Sequence, residues 1–248
     1  MSPWVLGLFA GYCTAVLAWL LLDRLRPGLW PRRPLPSFQR PWVETGFALL
    51  AVVAILALGQ LWSRGVRLPS TNPVTRSLNQ VLIFSPLFAL LAIRRQPPAT
   101  GLLCPDRRGV HLAVGLGLAA LALAAHVIAR RAAGEATALV PRVWLPDNLD
   151  VAVQVFLEDL GVGILLARLS AAAGARATVI GAALLFAAAH IPAMVAQGAP
   201  AQELLGLARD VVLGWLVLGS VLRSGDILWF WPIHVVMDLT QFPRVMAP

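Results

Sequence analysis

Apolar residues in this chain fall into continuous blocks, not into alternating or amphipathic stripes. Eight blocks of roughly 16 to 20 residues predict eight helices: Pro3 to Leu22, Thr45 to Trp62, Leu78 to Ile93, Val110 to Ala129, Val151 to Ala167, Ala177 to Ala196, Leu204 to Leu222 and Ile227 to Phe242. Pro86 lies inside the third block and predicts a kink there, because proline has no backbone N–H to give the helix ladder. The segments between blocks are rich in arginine, proline and glycine, which resist regular structure. The first block has neither a basic segment before it nor a small-residue cleavage pattern after it, so it is expected to stay as a helix.

Composition agrees with this pattern. Hydrophobic residues make up 58% of the 248 and charged residues only 13%, with mean hydropathy +0.76. The fold class is therefore all-α, a polytopic transmembrane helical bundle of about eight helices. One transmembrane domain is expected over residues 1–248, since no long linker divides the blocks. The small residues in LLFAAAH and VLGWLVLGS suit close helix packing.

The net charge of +8 gives no reason to invoke nucleic acid. All 20 basic residues are arginines, and most lie between the blocks, where arginine meets lipid headgroups and sets orientation. Trp30 is expected at headgroup level, and His111 and His126, near the two ends of their block, are expected to be interfacial. Cys13 and Cys104 form no metal-ligand or redox pattern and are expected to be free.

What changes the picture is polarity inside the blocks. Glu158 and Asp159 interrupt VAVQVFLEDLGVGILLA, His190 ends LLFAAAH, and His234 and Asp238 lie in LWFWPIHVVMDLT. A carboxylate at membrane depth costs at least about 2.5 kcal/mol and persists where it faces a bundle interior or wet cavity with partners. At 1.5 Å per residue, Glu158 and His190 lie roughly 10 Å and 9 Å from helix ends on the same side, and Asp238 is one turn from His234. Four ionisable groups thus converge at similar depth. Because Glu158 and Asp159 are about 100° apart around a helix, at most one is expected to point straight into the site.

A desolvated carboxylate can act as general base on water, while imidazole can hold that water, a metal or a developing oxyanion. Glutamate with two histidines, here Glu158, His190 and His234, is also an acceptable zinc ligand set with an open fourth position. The same residues would serve a polar network that only staples helices together. A transporter lined by these groups is a further alternative, which adjacent Arg209 and Asp210 keep open.

The residues FAAAH (Phe186 to His190) and HVVMD (His234 to Asp238), following the acidic pair of EDLGVG, resemble the motifs of the CPBP intramembrane proteases. That family includes the type II CAAX prenyl endopeptidases and the Abi proteins, with motifs EExxxR, FxxxH and HxxxN or HxxxD on successive helices. The likeness covers residues 149–242, a CPBP/Abi-like catalytic core. It implies an intramembrane endopeptidase in a multi-pass, bacterial-type plasma membrane, acting on a peptide or protein substrate delivered within the lipid bilayer. Glu158 would activate water, His190 and His234 would position that water or zinc, and Asp238 would orient His234 or assist the oxyanion site. Asp159 stands at the second acid. Gly163 stands where the family has arginine, which leaves an inactive scaffold of the same family as an alternative.

Orientation is read two ways. Arginines number 12 in the loops after helices 1, 3, 5 and 7 against 8 on the other side, counting the tail and Arg209 near the start of its helix, which puts both termini outside. The resemblance implies a site facing the cytosol.

Overall fold

The computed structural model describes residues 3–30, 34–104, 106–130, 143, 145–196 and 206–241; the side chains of 3, 4, 189, 190 and 192–196 are not among what it describes. Nine helices and no strand occur among the described residues: α1 (Pro3–Leu25), α2 (Pro41–Ser63), α3 (Pro73–Ile83), α4 (Ser85–Ile93), α5 (Arg108–Arg130), α6 (Leu149–Ala173), α7 (Ala175–Ala196), α8 (Leu207–Ser224) and α9 (Trp231–Gln241). The protein is an all-α helical bundle. Helices α3 and α4 are one apolar block bent by 47° at Phe84, where Pro86 opens the second half. Counted as one unit, they give the eight helical segments read from the blocks.

Helices α1, α2 and α5 are long and apolar enough to cross a membrane, and the bent α3–α4 pair makes a fourth when it is counted as one span. The protein is a multi-pass membrane protein. Its outward faces fit that solvent: on α2, Leu50, Val53 and Leu56 recur on one face and are 61–64% exposed, a band that hydrocarbon would cover. Among the described residues α6 and α9 do not meet that measure, α6 because it carries Asp150, Glu158, Asp159 and Arg168, and α9 because it has only 11 residues.

Helix α5 packs against both α1 and α9, and this overturns the interfacial reading of its histidines. His111 and His126 are both buried. Nε2 of His111 donates to the Leu29 carbonyl at 2.9 Å, and Nδ1 lies 2.5 Å from Asp226 Oδ2. Asp226, in the turn between α8 and α9, also accepts from the backbone N–H groups of Leu228 at 3.1 Å and Cys104 at 3.4 Å. Trp30 is buried as well, stacked on His111 and edge-on to Trp19, which in turn stacks on Trp229 at 4.8 Å. Aromatic burial of this kind outweighs the interfacial preference of tryptophan once partners face it. The cluster ties the ends of α1 and α5 to the α8–α9 turn. Asp226→Asn keeps the shape and removes the charge, so it is expected to cost about 1.5–3 kcal/mol, the worth of a hydrogen bond to a charged group. Thermal unfolding in detergent measures this, and an unchanged midpoint would contradict it.

A second tie sets the register of the helices that matter for function. Residues 96–104, which include a short 3-10 turn at Pro98–Gly101, form a strap between α6 and the α8–α9 turn. Arg168 of α6, wholly buried, donates to the Thr100 carbonyl at 3.3 Å, to the Ile164 carbonyl at 2.9 Å and to Gln96 Oε1. Gln96 passes the polarity on to buried Glu44 of α2 at 3.0 Å, which Arg94 also holds at 2.6 Å. At its other end the strap accepts from the Ile227 N–H through the Leu102 carbonyl, at 2.9 Å. In its middle, Gly101 lies on Gly163: a Cβ at 163 would stand 2.3 Å from the Gly101 carbonyl oxygen. The strap thus fixes α6 against the turn that launches α9.

Candidate functional site

Helices α6 and α9 meet where their polar residues lie. Trp231 at the start of α9 donates through Nε1 to the Ala152 carbonyl of α6 at 2.9 Å, and its ring packs edge-on to Phe156. One turn into α9, His234 faces the acidic pair. Its Nδ1 is 2.8 Å from Asp159 Oδ1, and its Nε2 is 3.7 Å from Asp238 Oδ1. Phe230 covers the imidazole on one side, with ring centroids 5.5 Å apart. Glu158 accepts from Gln154 Nε2 at 2.9 Å, one turn back on its own helix. Ligand-capable atoms of Glu158, His234 and Asp238 all lie within 4.8 Å of one another.

Both acids of the pair reach His234's surroundings, Asp159 directly and Glu158 from the side. The angular separation of 100° places Asp159 directly toward α9, where a short side chain suffices, and the longer glutamate side chain brings Glu158 in from the flank. The carboxylate at hydrogen-bond distance from Nδ1 is Asp159, whereas Asp238 stands near the opposite ring nitrogen. Asp159 is buried, while Glu158, Asp238 and His234 are each partly accessible, so the cluster has a dry side and an open side.

His190 is on α7, but its side chain lies outside the described residues, so the geometry above is that of Glu158, Asp159, His234 and Asp238. Phe186, one turn earlier, is 41% exposed on the outer face of α7. Arg209 and Asp210 sit at the start of α8, where Arg209 Nε donates to the Gly206 carbonyl at 3.4 Å, and neither takes part in the cluster's hydrogen bonds. Neither Cys13 nor Cys104 forms a disulfide among the described residues.

Position 163 is not an empty arginine site. The Gly101 carbonyl and the Ile227 side chain, whose Cγ2 would be 3.2 Å from a Cβ there, occupy that space. Reading the residues in sequence missed the strap, Gln154 as Glu158's partner, and the Glu44–Gln96–Arg168 chain. A polar residue four positions before a membrane glutamate, and a charged residue within an apolar block, were the available signals.

Comparison with curated proteins and comparison with solved structures found no match. The family model for type II CAAX prenyl endopeptidase Rce1-like proteins matches residues 148–240, from the residue before α6 to the end of α9. That span holds every residue of the cluster and both helices that carry it. Over residues 148–240 the chain is thus similar to the type II CAAX prenyl endopeptidases, a likeness that supports the CPBP/CAAX protease family.

Proposed function

We propose that the protein is an intramembrane endopeptidase in which Glu158 activates water for attack on a peptide bond of a substrate delivered within the membrane. The observation that carries this reading is the convergence of Glu158, His234 and Asp238 beside a buried Asp159 that engages Nδ1 of His234. With Nδ1 committed to Asp159, Nε2 faces the space shared by Glu158 and Asp238, where it can hold a water. Glu158 takes a proton from that water as its oxygen adds to the peptide carbonyl carbon. The same carboxyl then returns the proton to the departing amine as the C–N bond breaks, which leaves a new carboxylic acid and a free amine.

The donor set also fits a divalent cation. Glu158, His234 and Asp238 would hold it, with Asp159 as the outer carboxylate that fixes the ring, and zinc in such a set supplies Lewis-acid polarisation and a more acidic bound water. His190, from the next helix, is proposed alongside them as the second imidazole.

The test is cleavage of an internally quenched prenylated peptide by protein in lipid nanodiscs, parent against Glu158→Gln. Cleavage by the parent that the variant lacks supports the proposal; equal cleavage by both refutes it. Metal analysis belongs with it: near-stoichiometric zinc that falls in His234→Ala, together with cleavage that a chelator abolishes and zinc restores, assigns water activation to a metal. Chelator-resistant cleavage leaves it to Glu158. A parent that cleaves nothing with zinc or without it would favour a scaffold of the same family.

A further inference from the structure

The reaction proposed above leaves one role unfilled. When the peptide carbonyl becomes tetrahedral, its oxygen gains negative charge and needs a hydrogen-bond donor. Asp238, when ionised, can only accept, and Glu158 is occupied with the proton of the water. With Nε2 of His234 assigned to the water, a further donor would complete the site.

Helix α1 reaches this place although it lies outside the segment matched by the family. It meets α9 at Gly11: a Cβ there would be 2.6 Å from Sδ of Met237 and 3.0 Å from the Ala122 carbonyl. Met237 adjoins Asp238 and follows His234 by three residues. A helix that comes this close sets its next residue, Tyr12, beside the cluster. Tyr12 is buried, with 8% of its surface exposed, and its ring stacks on Phe230 with centroids 6.2 Å apart. Phe230 is the ring that covers His234 at 5.5 Å. Tyr12 is the only tyrosine in the chain. A phenol is a neutral donor, and a buried one is placed where its hydroxyl has a polar counterpart.

We infer that Tyr12 is a catalytic residue of this protease, its phenolic O–H donating to the carbonyl oxygen of the scissile peptide as that oxygen becomes anionic. The role rests on the proposed peptidase activity, and it makes α1 part of the active site as well as a membrane anchor. It also answers the chemistry of position 238. An asparagine there carries its own N–H donor, whereas aspartate does not, and Tyr12 supplies what Asp238 lacks.

The experiment has two arms. In the first, Tyr12→Phe is assayed in nanodiscs with the internally quenched prenylated peptide. Loss of one oxyanion donor is expected to lower kcat about 10²-fold with KM within a few-fold of the parent. A role in packing alone would leave kcat in place, because the ring against Phe230 is kept. In an Asp238→Asn background the penalty of Tyr12→Phe is expected to shrink, since the amide takes over as donor. Parental kcat in Tyr12→Phe, with Glu158→Gln inactive, overturns this inference and leaves the peptidase proposal intact. The second arm needs no activity. Because the chain has one tyrosine, 3-fluorotyrosine labelling gives a single ¹⁹F resonance, which is expected to move in Asp238→Asn and to stay put in the remote Asp147→Asn. A resonance indifferent to Asp238→Asn overturns the placement even if the peptide is never cleaved.

Discussion

Gly163→Arg, the substitution that would complete the family's first motif, is expected to abolish folding, with no rescue or gain of activity. The reason lies in what already fills the position. A Cβ at 163 would lie 2.3 Å from the Gly101 carbonyl oxygen, closer than real Cβ contacts come, and the opposing group is backbone, which cannot rotate away. The contact is tight from the other side too, since a Cβ on Gly101 would meet Ile164 Cγ1 at 2.8 Å. The strap cannot simply lift. Arg168 holds it at Gln96 and Thr100, and the Ile227 N–H holds it at Leu102. Overpacking a filled site by a few methylenes costs about 1–3 kcal/mol. Displacing the strap would add the loss of partners for the buried Arg168, about 3–5 kcal/mol when a buried charge is left uncompensated. Together these approach the whole stability of an ordinary domain, about 5–15 kcal/mol. Size-exclusion chromatography and thermal unfolding in detergent should find Gly163→Arg aggregated and Gly163→Ala already destabilised. Gly161→Ala, where the new methyl meets only Leu87 at 3.4 Å, should behave like the parent. A folded Gly163→Arg with the parental midpoint would show that the strap is not where it is described.

This result bears on how the missing arginine is understood. Measured against the family pattern, EDLGVG lacks a charge; in the folded chain the position is a contact between two glycine backbones. The buried arginine of this helix is Arg168, a little over a turn further on, and it works on the strap. Together these contacts fix the rotation of α6, and hence the direction in which Glu158 and Asp159 point.

Much of the fold was legible because bilayer burial leaves a one-dimensional record. A helix that must cover its own backbone in hydrocarbon shows up as a block, and the bend at Phe84 showed up as Pro86. The acids and His234 were legible for the complementary reason, that charge inside such a block is costly. What could not be read were relations that only tertiary packing creates. His111 near a helix end looks interfacial until Asp226, 115 residues later, is brought against it. Trp30 looks like a headgroup anchor until Trp19 and His111 enclose it. The strap has no periodicity at all, and Leu102, with φ of +56°, adopts a left-handed conformation that its side chain would not suggest. The division of labour between Asp159 and Asp238 followed the same rule, since spacing of i, i+4 puts Asp238 near His234, but only the approach of α6 decides which ring nitrogen each acid meets.

Glu158→Gln is expected to reduce cleavage about 10²- to 10⁴-fold, the usual cost of removing a general base, while the protein folds as before. The amide matches the carboxylate in shape, and its oxygen can still accept from Gln154, the one hydrogen bond described for Glu158, so the expected defect is in chemistry and not in packing. Asp159→Asn makes the informative contrast. Its oxygen can still accept from Nδ1 of His234 across 2.8 Å, but the charge that steadies the imidazole is gone. Removal of an outer carboxylate of this kind typically costs about 10- to 100-fold. The expected order of kcat on the prenylated peptide is therefore parent, then Asp159→Asn, then Glu158→Gln, with all three unfolding at similar temperatures apart from a modest loss for the buried Asp159. The reverse order, with Asp159→Asn the slower enzyme, would move the base from Glu158 to an Asp159–His234 pair acting through Nε2. Parental turnover in Glu158→Gln would remove the carboxylate from the mechanism altogether.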